Sequence, residues 1–279
     1  MAGFGKEANM SNAVELYLDL MKKSLVNSIY GDAERVPAKP RNAVFRTLMK
    51  ACEKRGMQIV EPKVFDIEIR SEGLDWPPFA HTMIGLKRLD NLQSCVERVL
   101  ADNVPGDLIE TGVWRGGAAI FMRAILKVYA VTDRCVWVAD SFEGLPSPSA
   151  DKYPADRDLR LHELTELAVS LEQVRTNFER YGLADDQVRF LKGWFRDTLP
   201  NVDIQKLAVV RLDGDMYEST MDALNNLYPK LSAGGFLIVD DYGAVPACRS
   251  AIQDFRKAHG ITEEIHHIDW TGIYWRRSG

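Results

Sequence analysis

The sequence has no apolar run near the roughly 18 residues a membrane-spanning helix needs, and Met1 to Asn12 lacks the basic-then-apolar layout of a secretory leader. A soluble cytoplasmic protein without a membrane partner is expected. Positive charge is not in excess: 35 Lys and Arg stand against 40 Asp and Glu, a net charge of −5. No nucleic-acid partner is therefore expected, because phosphate binding calls for a basic face. Cysteine is scarce. Cys52, Cys95, Cys135 and Cys248 are far apart and form no CxxC pair, so they read as reduced thiols packed as small hydrophobes. Histidine is equally sparse, with His81, His162 and His259 isolated and His266-His267 adjacent in a candidate strand. Structural or surface roles are favoured for all five, and His81 is set apart only because it adjoins the glycine-turn domain. Internal repeats and low-complexity tracts are also missing. What remains is 279 residues, 46% of them hydrophobic, enough for a substantial core.

The first hundred residues differ from the rest. Ala13 to Tyr30 and Asn42 to Arg55 carry apolar residues at helical spacing, and each needs a surface to cover. Gln58 to Pro78 has strand-like alternation broken by Pro62, Gly73, Pro77 and Pro78, after which Ile84 to Asp102 reads as a helix. From Asp107 onward short apolar runs alternate with helical segments, the pattern of βαβ units feeding a parallel sheet. Expected strands are Asp107 to Thr111, Val136 to Asp140, Gln187 to Leu191, Leu207 to Asp213 and Phe236 to Asp240. The helices between and after them are Gly116 to Tyr129, about Glu163 to Tyr181, Ser219 to Leu231 and Pro246 to His259. Glu264 to Ile268 and Gly272 to Arg277 then suit an antiparallel hairpin. The division expected is a helical extension over residues 1–104, covering the active site or a subunit interface, and a catalytic domain over 105–279. Ser147 to Leu161 is polar, proline-rich and long for a connection, which reads as an active-site lid or as a plain surface loop.

Open parallel sheets bind ligands beyond the carboxyl ends of their strands, and four of the five runs end in acid. The first continues Glu110-Thr111-Gly112-Val113-Trp114-Arg115-Gly116-Gly117. Gly112 permits a sharp turn, but a dinucleotide fingerprint would need glycine where Trp114 stands. A cofactor with no phosphate, anchored by the Glu110 carboxylate and by backbone amides, fits better. Asp140, followed by Ser141, is placed to accept two hydrogen bonds from a ribose diol. Gly193 and Trp194 either wall an adenine or lie in core beneath a loop. Asp213-Gly214-Asp215 and Asp240-Asp241 put two carboxylates at each of two strand ends, and four such charges repel unless a cation or protons compensate. Oxygen-only ligation suits Mg²⁺; helix capping by Asp215 and Asp241 is the plainer alternative.

At these residues the chain resembles the class I S-adenosylmethionine-dependent methyltransferases, in particular the macrocin O-methyltransferase (TylF) family. The likeness spans almost the whole chain, through Leu16-Tyr17-Leu18-Asp19-Leu20, His81-Thr82-Met83-Ile84-Gly85, Glu110-Thr111-Gly112-Val113, Asp140-Ser141-Phe142-Glu143-Gly144-Leu145-Pro146, Gly193-Trp194-Phe195, Leu212-Asp213-Gly214-Asp215-Met216-Tyr217 and Val239-Asp240-Asp241-Tyr242. It implies a Rossmann-like α/β fold, a mostly parallel seven-stranded sheet with a C-terminal antiparallel hairpin. It also implies methyl transfer from S-adenosylmethionine to a deoxysugar hydroxyl on a glycosylated antibiotic of the macrolide or noviose-bearing aminocoumarin kind. Cofactor contacts are expected from Thr82, Met83, Glu110, Thr111, Gly112, Asp140, Ser141, Gly193, Trp194 and Asp213, with Mg²⁺ on Asp213, Asp240 and Asp241 and with Asp215 as general base. A homodimer or larger homo-oligomer is expected from the apolar N-terminal helices. A nicotinamide oxidoreductase, a carboxylate-metal hydrolase and a catalytically silent small-molecule sensor share parts of this pattern.

Overall fold

A parallel sheet is covered on both faces, so its strands are apolar throughout rather than alternating. The run Leu-Ala-Val-Val-Arg-Leu is of this kind, buried along its whole length. The computed structural model describes residues 3–279; Met1 and Ala2, the start of the segment read above for a leader, lie outside the described residues. Helix α1 (Gly3–Leu25) is followed by strands β1 (Arg35–Pro37) and β2 (Val60–Pro62), which pair antiparallel on either side of α2 (Ala43–Glu53). Next come α3 (Ile67–Ser71) and α4 (Gly85–Ala101). The alternating part follows as β3 (Asp107–Thr111), α5 (Gly117–Val128), β4 (Val136–Asp140), α6 (Leu171–Arg180), β5 (Val188–Lys192), α7 (Phe195–Thr198) and β6 (Leu207–Leu212). It closes with α8 (Tyr217–Leu227), β7 (Leu231–Val239), α9 (Pro246–Ala258) and the hairpin β8 (His266–His267) and β9 (Ile273–Arg276).

The sheet order is β5-β4-β3-β6-β7-β9-β8, with β3 to β7 parallel and β9 and β8 antiparallel. This is the Rossmann-like seven-stranded arrangement expected. Leu108 faces a core shared with Leu18 of α1, Leu89 and Val96 of α4 and Ile120 of α5. Its neighbour Ile109 faces the other, with Val210, Leu224 of α8, Ile252 of α9 and Trp275. Residues of α1 and α4, inside the 1–104 extension, thus share one core with the sheet. All four cysteines are unpaired. No helix of the described residues is long and apolar enough to cross a membrane.

Several boundaries differ from those expected, for local reasons. Helix α1 stops at Leu25 rather than Tyr30 because Asn27 turns left-handed, with φ of 53°. Buried Arg70 then takes the carbonyl of Val26 at 2.6 Å. Most of Gln58 to Pro78 is irregular or helical, and its strand β2 finds a partner in Arg35–Pro37, where no strand was expected. The helix expected from Glu163 begins only at Leu171, where the Ser170 hydroxyl caps it by accepting from the Gln173 amide. Helix α8 starts at Tyr217 and ends at Leu227, two residues before Pro229. The acid ending β6 and that ending β7, Asp213 and Asp240, each sit one residue past the strand. Helix α2 buries no residue at all.

Candidate active site

Strand β3 lies between β4 and β6, so the chain leaves it in one direction and returns on its other side. A crevice forms at such a switch point. Here it is a cavity of about 290 Å³ over the carboxyl ends of the strands. Among the residues expected at the site, Glu110, Gly112, Asp140 and Ser141 line one part of it, with Thr82, Met83 and Trp194. Asp213, Asp215, Asp240 and Asp241 line the other. Two do not reach it. Thr111 is buried below, its hydroxyl directed to the Arg211 carbonyl at 3.4 Å. Gly193 borders a neighbouring depression and donates its amide to the Asp140 carbonyl at 2.9 Å.

Oxygens of Asp213, Asp240 and Asp241 lie within 4.8 Å of one another. Part of their repulsion is met by two arginines that sequence reasoning did not assign. Arg211 is buried in β6 directly across from Glu110 of β3. Its guanidinium donates to Glu110 Oε1 at 2.6 Å, to Asp213 Oδ2 at 2.8 Å and to Asp240 Oδ1. Arg88, from α4, donates to Asp240 Oδ2 and, at 2.9 Å, to Asp269. Two guanidinium groups do not balance Glu110, Asp213, Asp215, Asp240 and Asp241. Burial and then the neighbouring acids push Asp213 up to about 6 and Asp215 up to about 7, and hold Asp241 well above the ordinary carboxylate range. The signal for Arg211 was present, a lone charge inside an apolar strand; Arg88 gave none, since its partners lie far along the chain.

Asp215 has φ of 56°, in the left-handed region that most side chains avoid. It does not cap the following helix. The caps of α8 come from Asp156, fully buried in the connecting segment, whose carboxylate accepts the amides of Tyr217 at 2.7 Å and Glu218 at 3.0 Å. The capping alternative for Asp215 thereby loses its basis. Asp241 Oδ2 instead accepts the Asp215 amide at 3.1 Å, holding the Asp213-Gly214-Asp215 turn against β7.

On the other side, Asp140 accepts the amides of Val113 and Phe142, both at 2.7 Å, so it ties two loops together while facing the cavity. Gly112 is required by its neighbours: a Cβ there would stand 1.7 Å from the Asp213 carbonyl oxygen. Glu110 Oε2 is buried without a hydrogen-bond partner. Burial drives the Glu110 carboxyl up to about 8, against the pull of Arg211. Trp114, at the position a dinucleotide fold gives to glycine, keeps a left-handed backbone with φ of 46°. Its indole donates to the Glu166 carbonyl at 2.9 Å and stacks on Arg115, pinning the chain just beyond residues 147–161. Leu161 reaches the cavity wall. His81 is outside it, bonded through Nδ1 to the Tyr181 hydroxyl at 2.9 Å, and His266 and His267 are exposed on β8.

Residues 14–277 match the family described as Macrocin-O-methyltransferase (TylF). The chain is 58% identical over 268 residues to 8-demethyl-8-(2,3-dimethoxy-alpha-L-rhamnosyl)-tetracenomycin-C 4'-O-methyltransferase of Streptomyces olivaceus, covering 96% of this chain and 94% of that protein. It is 53% identical over 271 residues to mycinamicin III 3''-O-methyltransferase of Micromonospora griseorubida, covering 96% and 98%. Among solved structures, that of the O-methyltransferase NovP superposes with a TM-score of 0.83 at 50% identity, over 95% of this chain and all of that one.

Proposed function

This chain belongs to the macrocin-O-methyltransferase (TylF) family of S-adenosylmethionine-dependent O-methyltransferases, and on that footing we propose that it methylates a deoxysugar hydroxyl of a glycosylated natural product with the help of Mg²⁺. The observation that carries the reading is the grouping of Asp213, Asp240 and Asp241 beside Asp215 in the cavity that also exposes Glu110 and Asp140. The names of the relatives support the sugar hydroxyl.

The residues fit both the cofactor and the metal. An excess of buried carboxylates over guanidinium groups, with three acids driven upward by burial and then by one another, is what a divalent cation offsets. The partnerless Glu110 Oε2 suits the ammonium end of S-adenosylmethionine, and the Asp140 oxygens retain lone pairs for ribose hydroxyls. Ser141, Thr82, Met83 and Trp194 would enclose the cofactor, and Asp213, Asp240 and Asp241 would hold the metal.

S-adenosylmethionine supplies a methyl group on a sulfonium leaving group, and Mg²⁺ supplies Lewis acidity that eases loss of the acceptor's proton. The chain does the rest. Asp215, set beyond Gly214 and fixed by its amide on Asp241, accepts the hydroxyl proton as general base. Arg211 holds Glu110, Asp213 and Asp240 in one register across β3, β6 and β7. The segment 147–161, clasped by Asp156, serves as the lid that excludes water. Exposed Val44 and Leu48 on α2 are the surface by which we assign a homo-oligomer.

Mass spectrometry of the protein with isotopically labelled donor, Mg²⁺ and a panel of glycosylated antibiotics, each lacking one O-methyl group, tests the reading. One mono-methylated product is expected, lost with chelator while donor binding survives. Transfer to none of the glycosides would remove the sugar acceptor; full turnover after exhaustive chelation would leave Asp240 and Asp241 as partners of Arg88, Arg211 and the Asp215 amide alone.

A further inference from the structure

The first turn of α8 faces the cavity with Glu218, Ser219 and, one turn on, Asp222. The mechanism above uses none of them. Glu218 is 5% exposed, and its Oε2 is buried without a hydrogen-bond partner. Among the described residues its other oxygen has only Arg196 as a charged partner, at 3.7 Å, beyond hydrogen-bond range and on a half-exposed side chain. A buried carboxylate oxygen left with no donor is costly, and native structures keep few of them unless a ligand supplies the donor. The side chain is also well aimed. Its own amide is anchored on Asp156, so it projects from a fixed helix start, three residues beyond Asp215. Trp76, Phe195 and Trp270 line the same cavity, apolar faces of the type on which a sugar ring rests.

We infer that Glu218 recognises the acceptor, its unpartnered Oε2 accepting a hydrogen bond from a second sugar hydroxyl and so selecting which hydroxyl reaches Asp215. The inference rests on the sugar-acceptor reading above. Glu218 is thus a specificity residue on the acceptor side. Its removal should leave the donor's dissociation constant unchanged.

The test uses tetracenomycin rhamnosides carrying all ring hydroxyls and the mono-deoxy analogues, measured both for binding to the protein saturated with S-adenosylhomocysteine and for methyl transfer. One analogue other than that lacking the methylated hydroxyl should bind the wild type about 10- to 100-fold more weakly, the worth of a hydrogen bond to a charged group. Glu218→Ala should bind the full rhamnoside more weakly by that same factor and no longer distinguish the analogue; Glu218→Gln, which keeps the shape, should fall between. Thermal melting and donor binding of both variants establish that they fold. Equal binding of all the non-acceptor analogues by the wild type, or discrimination retained in Glu218→Ala, overturns the inference. The predicted binding pattern without methyl transfer would sustain Glu218 as the recognition residue and sink the proposed reaction, and absence of binding to the rhamnosides and to every other glycoside of the panel would sink both.

Discussion

Two acids one glycine apart, Asp213 and Asp215, differ in what holds them. Asp213 is fixed by Arg211 and grouped with Asp240 and Asp241, whereas the Asp215 side chain has no partner among the described residues apart from like-charged neighbours. Asp215→Asn should therefore leave metal and donor affinity nearly intact and lower kcat by about 10²- to 10⁴-fold. Asp213→Asn should instead raise the Mg²⁺ concentration needed for half-maximal rate, with excess metal restoring part of the activity. Metal titrations of both variants decide it, and rescue of Asp215→Asn by metal would exchange the roles. His81 carries a separate prediction. Burial, with Arg115 and Arg180 nearby, lowers it to about 4 from 6.5. A histidine kept neutral by folding contributes stability above pH 6.5 that is lost as pH falls toward 4. Denaturant titrations should show the wild type losing more stability than His81→Gln over that window, and parallel curves would mean that His81 titrates normally. Of these residues the aspartates were legible, because strand-end acids need only a short stretch of chain to be noticed. Arg88 and Glu218 were not, since burial and a missing partner are properties of the fold around them.

The Asp156 carboxylate is the hydrogen-bonded hold of the 147–161 connection on the site, beside the packing of the Tyr153 ring against Tyr217. Asp156 joins that segment to the first turn of α8, which presents Glu218 and follows Asp215. Asp156→Ala should cost about 1 kcal/mol as a lost helix cap and lower Tm by a few degrees. Hydrogen exchange should quicken in 147–161 and in the first turn of α8 together. Faster exchange in one without the other would mean that Asp156 is not the clasp. The length and polarity of this connection were visible in the sequence, but its anchoring was not: proline and charge mark a loop, while a contact spanning 61 residues leaves no local pattern. The late start of α6 has a similar cause, because Glu163 to Leu167 has helical composition and only the Ser170 cap fixes where the helix begins. Strand cores were easier, since burial on both faces writes itself as an unbroken apolar run.

In the single chain, Leu18, Met21 and Leu25 of α1 and the apolar face of α4 enter the core, Leu16 and Leu20 of α1 stay exposed, and α2 keeps Val44 80% and Leu48 51% exposed. Light scattering should give a multiple of the 31.5 kDa chain mass at micromolar concentration, and Leu48→Glu should shift it toward the single-chain mass with little change in intramolecular packing. A wild-type mass of one chain would assign the α2 face another role. The helical pattern of α2 was plain from sequence, but what it covers was not, because amphipathicity names a buried face without naming its partner. Arg88 shows the same limit over a longer distance. Its two acidic partners stand 152 and 181 residues later in the chain. During synthesis, then, α4 leaves the ribosome with its guanidinium unmatched, and it stays so until Asp240 and finally Asp269 emerge. The acid cluster cannot assume its finished charge balance on a nascent chain. A ribosome stalled short of residue 269 would hold Asp213, Asp240 and Asp241 and still lack one of the two carboxylates that position Arg88.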